Sequence, residues 1–205
     1  MTGVTRIFIF LKKDHNAMNR ADAVTLFRTA LVFFVVYMVL AKVTPWVIIP
    51  IMAVMFILDW VDGYIAKHST RPGGKPSWYG SRLDVAGDRV TEYALWILFT
   101  FLGIVPLIIL LLVVVRHSFV DALMGSKGTS SKMKTKMAKS LYASGLNRGG
   151  IGFVKFITFS YLAWGYVTSS LYGGFLEVAY VLIGILFVYI MLRGIAEIYE
   201  AARSN

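Results

Sequence analysis

The chain has 205 residues, a formal charge of +10 and a mean hydropathy of +0.69, with 58% hydrophobic residues and 16% charged residues. This apolar fraction exceeds what the interior of a soluble protein of this size can bury, so much of the surface is predicted to face lipid. Cysteine is absent, which excludes disulfides and thiolate metal sites. The basic residues form no nucleic-acid-binding pattern, so no nucleic-acid partner is predicted.

Residues 1–20 are predicted to form a cytosolic juxtamembrane segment. Val4, Ile7, Phe8 and Leu11 recur at helical spacing beside basic residues, which favours a short amphipathic helix in the membrane interface, although a frayed tail is the open alternative. The apolar stretch is too short for a cleavable signal. The rest of the chain, 21–205, is predicted to be one transmembrane domain.

Six apolar runs of membrane-crossing length predict an all-α integral membrane protein with six transmembrane helices. Short connections rich in Gly, Pro and Ser predict tight turns after the first, third and fifth spans. Of the 21 Lys and Arg residues, only Lys42 falls on the side of these turns, so the opposite side and both termini are predicted to be cytoplasmic. Trp46, Trp78, Trp96 and Tyr199 are predicted near the interfaces of the cell membrane. The predicted spans are 24–42, 46–66, 81–102, 104–124, 151–171 and 175–198.

Four aspartates lie at the facing ends of the second and third spans. Asp59 and Asp62 end the second span, and Asp84 and Asp88 begin the third, with spacings that place each pair on one helix face. Carboxylates near membrane depth must be neutralised, because each costs roughly 2.5–3.5 kcal/mol at the centre of a span. Ion pairs with basic neighbours are one solution, and the candidates nearest in sequence are Lys67, Arg71, Arg82 and Arg89.

Small residues beside these aspartates favour a ligand site over ion pairing alone. Gly63, Ala66 and Gly80 leave strips without side chains next to the acidic pairs, so a ligand can approach the backbone closely. A cluster of carboxylates without Cys or His suits Mg²⁺ or Mn²⁺. Four carboxylates can hold two such ions, an arrangement that binds a phosphoryl group during its transfer. The pattern therefore predicts phosphoryl chemistry at a membrane surface.

The stretch from Asp59 to Lys67, followed by Gly80, Asp84 and Asp88, resembles the signature D-x-x-D-G-x-x-A-R, spacer, G-x-x-x-D-x-x-x-D of the CDP-alcohol phosphotransferases. Lys67 stands where the family has Arg, and the loop 68–79 is longer than the usual spacer. Asp22, Thr25 and Arg28 are also similar to an Asn-x-x-Thr-x-x-Arg pattern that is common in the family.

The resemblance implies a CDP-linked lipid donor, diacyl or ether, and a homodimer in the membrane. Asp59, Asp62 and Asp84 would bind the metals, and Asp88 would act as general base, with a share in metal binding left open. The implied donor-binding residues are Thr25, Gly63, Ala66, Lys67, Arg71 and Gly80.

Cations in the later spans predict the class of acceptor. Charged residues within a span usually face a cavity or a partner, so Arg116, Lys155 and Arg193 are predicted to bind the acceptor alcohol, together with Arg148 of the basic loop before the fifth span. Such a set suits a phosphorylated alcohol, as in the family branches that use inositol phosphate or glycerol phosphate. The alternative is that Asp121 and Glu197 are ion-pair partners of Arg116 and Arg193.

Two other classes of protein compete with this interpretation. Buried carboxylates also occur in transporters and divalent-cation channels, but those sites lie near the membrane midplane, often within inverted repeats, and no repeat is visible here. A structural membrane subunit would not explain the glycines that are in register with the acidic pairs.

Overall fold

Six α-helices form the part of the chain that the computed structural model describes, residues 20–68, 80–124 and 145–203, and no strand occurs there. Side-chain surroundings are defined for residues 23–59, 61, 83–123 and 150–199. The helices are α1 (Arg20–Leu40), α2 (Pro45–His68), α3 (Gly80–Phe101), α4 (Leu107–Met124), α5 (Gly145–Val167) and α6 (Gly173–Arg203). Each predicted span coincides with one helix, so the all-α prediction is confirmed. The predicted N-terminal interfacial helix lies outside the described residues.

The three predicted tight turns are confirmed, and all three have the same hydrogen-bond pattern. Lys42, Gly103 and Ser169 each have a positive φ, of 53°, 73° and 53° respectively. The next residue along donates its N–H to the carbonyl five positions earlier, at 2.8–3.0 Å. This is the Schellman motif, which satisfies the last carbonyls of a helix and reverses the chain.

Helix α1 lies between α2 and α3, and α5 connects this group to α6 by contacting both α2 and α6. Helix α4 packs against α6 and contacts α3. Trp96 is fully buried and meets the ring of Phe159 edge-on, at 5.2 Å between centroids, so its side chain packs inside the bundle; its position near a membrane interface stays a prediction. Trp46 and Tyr199 are exposed, and Trp78 lies outside the described residues.

Large apolar side chains are exposed on every helix, including Phe101, Trp46 and Phe27. A soluble monomer rarely exposes apolar surface on all its elements, so this distribution fits a lipid environment. Within the described residues, two helices are long and apolar enough to cross a membrane by length and composition, over Ala23–Leu40 and Gly173–Tyr199. The six-span topology remains a prediction.

Candidate active site

The acidic motif lies on the last three turns of α2 and the first three turns of α3. Asp59 and Asp62 belong to α2, while Asp84 and Asp88 follow Gly80, the first residue of α3. Both motif halves are therefore helical, so the spacings of three and four place each pair on one face.

A buried arginine from α1 joins the two halves of the motif. Arg28 is 2% exposed, and its Nη1 donates to Asp59 Oδ1 while its Nη2 donates to Asp88 Oδ1 at 2.7 Å. The first and last aspartates of the motif, on different helices, therefore meet at one guanidinium. Their side chains remain 43% and 45% exposed, so the carboxylates are open on another side.

Gly87 makes room for this arrangement. A Cβ atom at Gly87 would lie 2.6 Å from Thr25 Cγ2, 3.1 Å from Thr29 Oγ1 and 3.4 Å from Arg28 Nη2. Only glycine lets α1 approach α3 this closely, since real Cβ atoms do not make contacts under 3.0 Å. Thr25, predicted to bind the donor, is itself buried at this crossing.

Several predicted site residues lie where side chains are not described. Asp62, Gly63, Ala66 and Lys67 are within α2, and Gly80 starts α3, but they lie outside the residues whose side chains the structure describes. Arg71 lies in the segment 69–79, outside the described residues, and Arg148, on α5, is likewise outside the residues whose side chains are described. Their roles remain predictions.

The motif carboxylates fit a hard divalent cation. Asp59 and Asp88 converge on a positive group from two helices while staying partly exposed, and carboxylate oxygens are the ligands that Mg²⁺ and Mn²⁺ prefer. Within the described part of the chain, no three His, Asp or Glu side chains form a group that could hold a metal ion. The two-ion site therefore remains a prediction that also depends on Asp62.

Glu92 organises a second charged cluster between α3, α4 and α5. Its carboxylate is 3% exposed, and Lys155 Nζ donates to its Oε2 at 2.6 Å. His117 Nε2 lies 3.7 Å from the same oxygen. Glu92 was not among the residues predicted from the sequence, although it lies one helical turn beyond Asp88 and therefore shares its face of α3.

The remaining cations of this cluster also have carboxylate partners. Arg116 Nη2 donates to Glu197 Oε2 at 2.6 Å, and Arg193 Nε lies 3.9 Å from Glu197 Oε1. The sequence alternative that Glu197 pairs with these arginines is thus observed. Gly194 accommodates Arg116, since a Cβ there would lie 2.3 Å from Arg116 Nε.

Asp121 pairs with a different arginine from the one expected. Arg89 donates to both of its carboxylate oxygens, from Nε at 2.8 Å and from Nη2 at 2.7 Å. Arg89 was a candidate partner for the motif aspartates because it is their neighbour in sequence. That expectation is wrong because successive helix residues point about 100° apart, so Arg89 faces α4 while Asp88 faces α1.

Comparison with known proteins identifies the family. The family model of the CDP-alcohol phosphatidyltransferases matches residues 18–192, which include all four motif aspartates, Arg28 and the second charged cluster up to Lys155. No curated protein matches the chain. Members of this family are membrane-associated, generally depend on divalent metals, and transfer substituted phosphate groups in phospholipid synthesis. The chain belongs to the CDP-alcohol phosphatidyltransferase family.

Proposed function

We propose that the protein transfers the phosphatidyl-type group of a CDP-linked lipid, diacyl or ether, to the hydroxyl of a small phosphorylated alcohol and releases CMP. Inositol phosphate and glycerol phosphate are the acceptors that fit best. The observation that carries the proposal is the meeting of Asp59 and Asp88 at Arg28, because it assembles the two halves of the family signature into one open acidic site.

The donor would bind along the motif face of α2 and α3. Asp59, Asp62 and Asp84 would hold Mg²⁺ or Mn²⁺, which when bound would offset the negative charge of the donor diphosphate. Cytidine would pack on the strips without side chains, and basic groups of α2 and the following loop would contact phosphate. The residues proposed for these donor contacts are Thr25, Gly63, Ala66, Lys67, Arg71 and Gly80.

Asp88 would act on the acceptor. The acceptor hydroxyl attacks the lipid-side phosphorus, so a new phosphorus–oxygen bond forms while the bond from that phosphorus to the bridging oxygen of CDP breaks. CMP leaves with the bridging oxygen, and the hydroxyl proton passes to the Asp88 carboxylate. Arg28 orients this carboxylate by binding its Oδ1.

The acceptor phosphate would be bound by cations that are ion-paired but still accessible. The side chains of Lys155 and Arg193 are 21% and 26% exposed, so both can be reached by a ligand while carboxylates hold them in place. Arg116 is more deeply buried, where it pairs with Glu197. It would contribute positive charge to the acceptor site from inside the bundle. Arg148, on the first turns of α5, is the fourth proposed contact.

The proposed setting is the cell membrane, with six spans, both termini in the cytoplasm and the active site on the cytoplasmic side. The excess of basic residues on that side and the exposed apolar faces of the helices support this topology. A homodimer is proposed from the family alone.

The test is CMP release by the purified full-length protein in mixed micelles, with a diacyl or an ether CDP-lipid. The acceptors are inositol phosphate, glycerol phosphate, free inositol and serine, with Mg²⁺, with Mn²⁺, or with a chelator. We expect metal-dependent release with one phosphorylated alcohol. Equal release with free inositol or serine would contradict the acceptor class, and no release from either lipid would contradict the reaction.

A further inference from the structure

Glu92 is a buried carboxylate next to the site, and stability alone does not account for it. Its Oε2 accepts from Lys155 at 2.6 Å, but its Oε1 is buried without a hydrogen-bond partner among the described residues. Buried carboxylates are rare, and an unbonded oxygen lowers the stability that burial would otherwise provide. A residue that served only to join helices would be expected to satisfy both oxygens.

Glu92 lies between the proposed base, Asp88 on α3, and the proposed acceptor cation Lys155 on α5. Asp88 and Glu92 are four residues apart on α3, so they lie on one face, one turn apart. Lys155 reaches Glu92 from α5, with its Nζ 2.6 Å from Glu92 Oε2. The ammonium of Lys155 is therefore held by a carboxylate that lies one helical turn along α3 from the proposed base.

Lysine needs such an anchor. Its side chain has four rotatable bonds, and ordering it against a ligand costs conformational entropy unless the protein has already fixed it. Glu92 is buried while Lys155 stays partly exposed, so the carboxylate can hold the ammonium from the protein side and leave another side for a ligand.

We propose that Glu92 is a positioning residue for the acceptor, which acts by holding Lys155 so that the acceptor phosphate binds with its hydroxyl at Asp88. This inference rests on the proposed function. It assigns Glu92 to acceptor binding and not to the donor site, the metals or the chemical step.

The test compares the kinetics of Glu92→Gln, Glu92→Asp and Lys155→Met with the wild type, using CMP release with the phosphorylated alcohol that gives the highest wild-type rate. In Glu92→Gln we expect the KM for the acceptor to rise about tenfold or more, which is the loss of one charge-assisted contact. The KM for CDP-lipid should change less than about twofold, because Lys155 is not among the proposed donor contacts, and kcat should change less than the acceptor KM, because Asp88 itself is unaltered. Glu92→Asp should recover part of the acceptor affinity.

Two further measurements separate positioning from general stability. The double variant Glu92→Gln/Lys155→Met should have the acceptor KM of Lys155→Met alone, because both changes remove one coupled contact. Calorimetric titration of the acceptor should show the same loss of affinity without turnover. Asp121→Asn, which breaks the neighbouring ion pair with Arg89, is the matched control and should leave the acceptor KM unchanged.

If the wild type is active and Glu92→Gln has an unchanged acceptor KM, this inference is overturned, while the proposed function is not. Equal changes in kcat and in both KM values would also overturn it, because they would indicate a general structural role. No CMP release by the wild type would overturn the proposed function and this inference together.

Discussion

The two charged regions of the bundle differ in how far their carboxylates are open. In the motif, Asp59 and Asp88 share one arginine and stay nearly half exposed. In the second cluster, Glu92 and Glu197 are almost fully buried, and each has a cationic partner at 2.6 Å. Both regions consist of acidic and basic side chains on adjacent helices. They differ in the exposure of the carboxylates and in the number of carboxylates that each cation binds.

The two exposures indicate which charged groups can bind a ligand. An open carboxylate can exchange water for a cation at modest cost, whereas a buried ion pair loses most of its stabilisation if one partner leaves. This contrast agrees with our proposal that the motif carries the chemistry and that the second cluster positions cations. In that cluster the proposed ligand contacts are the partly exposed cations, Lys155 and Arg193, and not the buried acids.

Removal of the proposed base tests the open region most strongly. Asp88→Asn should lower kcat for CMP release by about 10²–10⁴-fold, because general base catalysis contributes that much. The amide can still accept from Arg28, so the fold should persist in thermal unfolding. Glu177→Gln, an exposed carboxylate on α6, is the control and should keep the wild-type rate. A rate within tenfold of wild type in Asp88→Asn would contradict the assignment.

Breaking a buried pair tests the closed region. Arg116→Met leaves Glu197 buried without its 2.6 Å partner, and such losses cost about 3–5 kcal/mol. Denaturant unfolding in micelles measures the change. The double variant Arg116→Met/Glu197→Met should recover much of the loss, because neither charge of the buried 2.6 Å pair remains and Arg193, 3.9 Å from Glu197, is partly exposed to solvent. If the single variant lost less than about 1 kcal/mol, the pair would not be buried in the protein.

Gly87 tests the crossing that holds the open region together. Gly87→Ala should destabilise the protein by about 1–3 kcal/mol through overpacking against Thr25, and it should also lower activity by displacing Arg28. Gly184→Ala is the matched control within α6. No atom lies within 4 Å of a Cβ there, so this change should stabilise the helix by up to about 1 kcal/mol. Equal effects at both glycines would refute the close approach of α1 to α3.

The smallest effect is expected away from both charged regions, at the turn between α5 and α6. Ser169 has a φ of 53°, where a residue with a side chain costs about 1 kcal/mol and glycine costs little. Ser169→Gly should therefore stabilise the protein by about 1 kcal/mol without changing activity. The same substitution inside helix α4, Ser118→Gly, should destabilise it by about 0.5 kcal/mol. Destabilisation at both positions would argue against the Schellman turn.

The helices and turns were predictable because apolar runs and Gly, Pro and Ser turns act locally. The observed helix ends differ from the predicted span ends by a few residues. Helix α5 starts at Gly145, before the predicted 151, and α6 continues to Arg203, beyond the predicted 198. Both helices continue into polar residues beyond the apolar run. The predicted spans were bounded by the apolar run alone, so they missed these helix ends.

The pairing partners were less predictable because they depend on how helices pack. Arg28 is 31 and 60 residues from Asp59 and Asp88, so sequence proximity favoured Arg89 instead. The spacing of Asp88 and Glu92 was visible in the sequence, but the partner that buries Glu92 comes from α5. The motif identified the acidic residues, and the fold was needed to show which cation each one meets.

The most direct test of the reaction itself is the mass of both products formed from a CDP-lipid and a phosphorylated alcohol. Attack at the lipid-side phosphorus predicts CMP together with a lipid that carries the acceptor in phosphodiester linkage, in equal amounts. A cytidylylated acceptor together with a lipid phosphate would show attack at the other phosphorus and would contradict the proposed placement of donor and acceptor at Asp88.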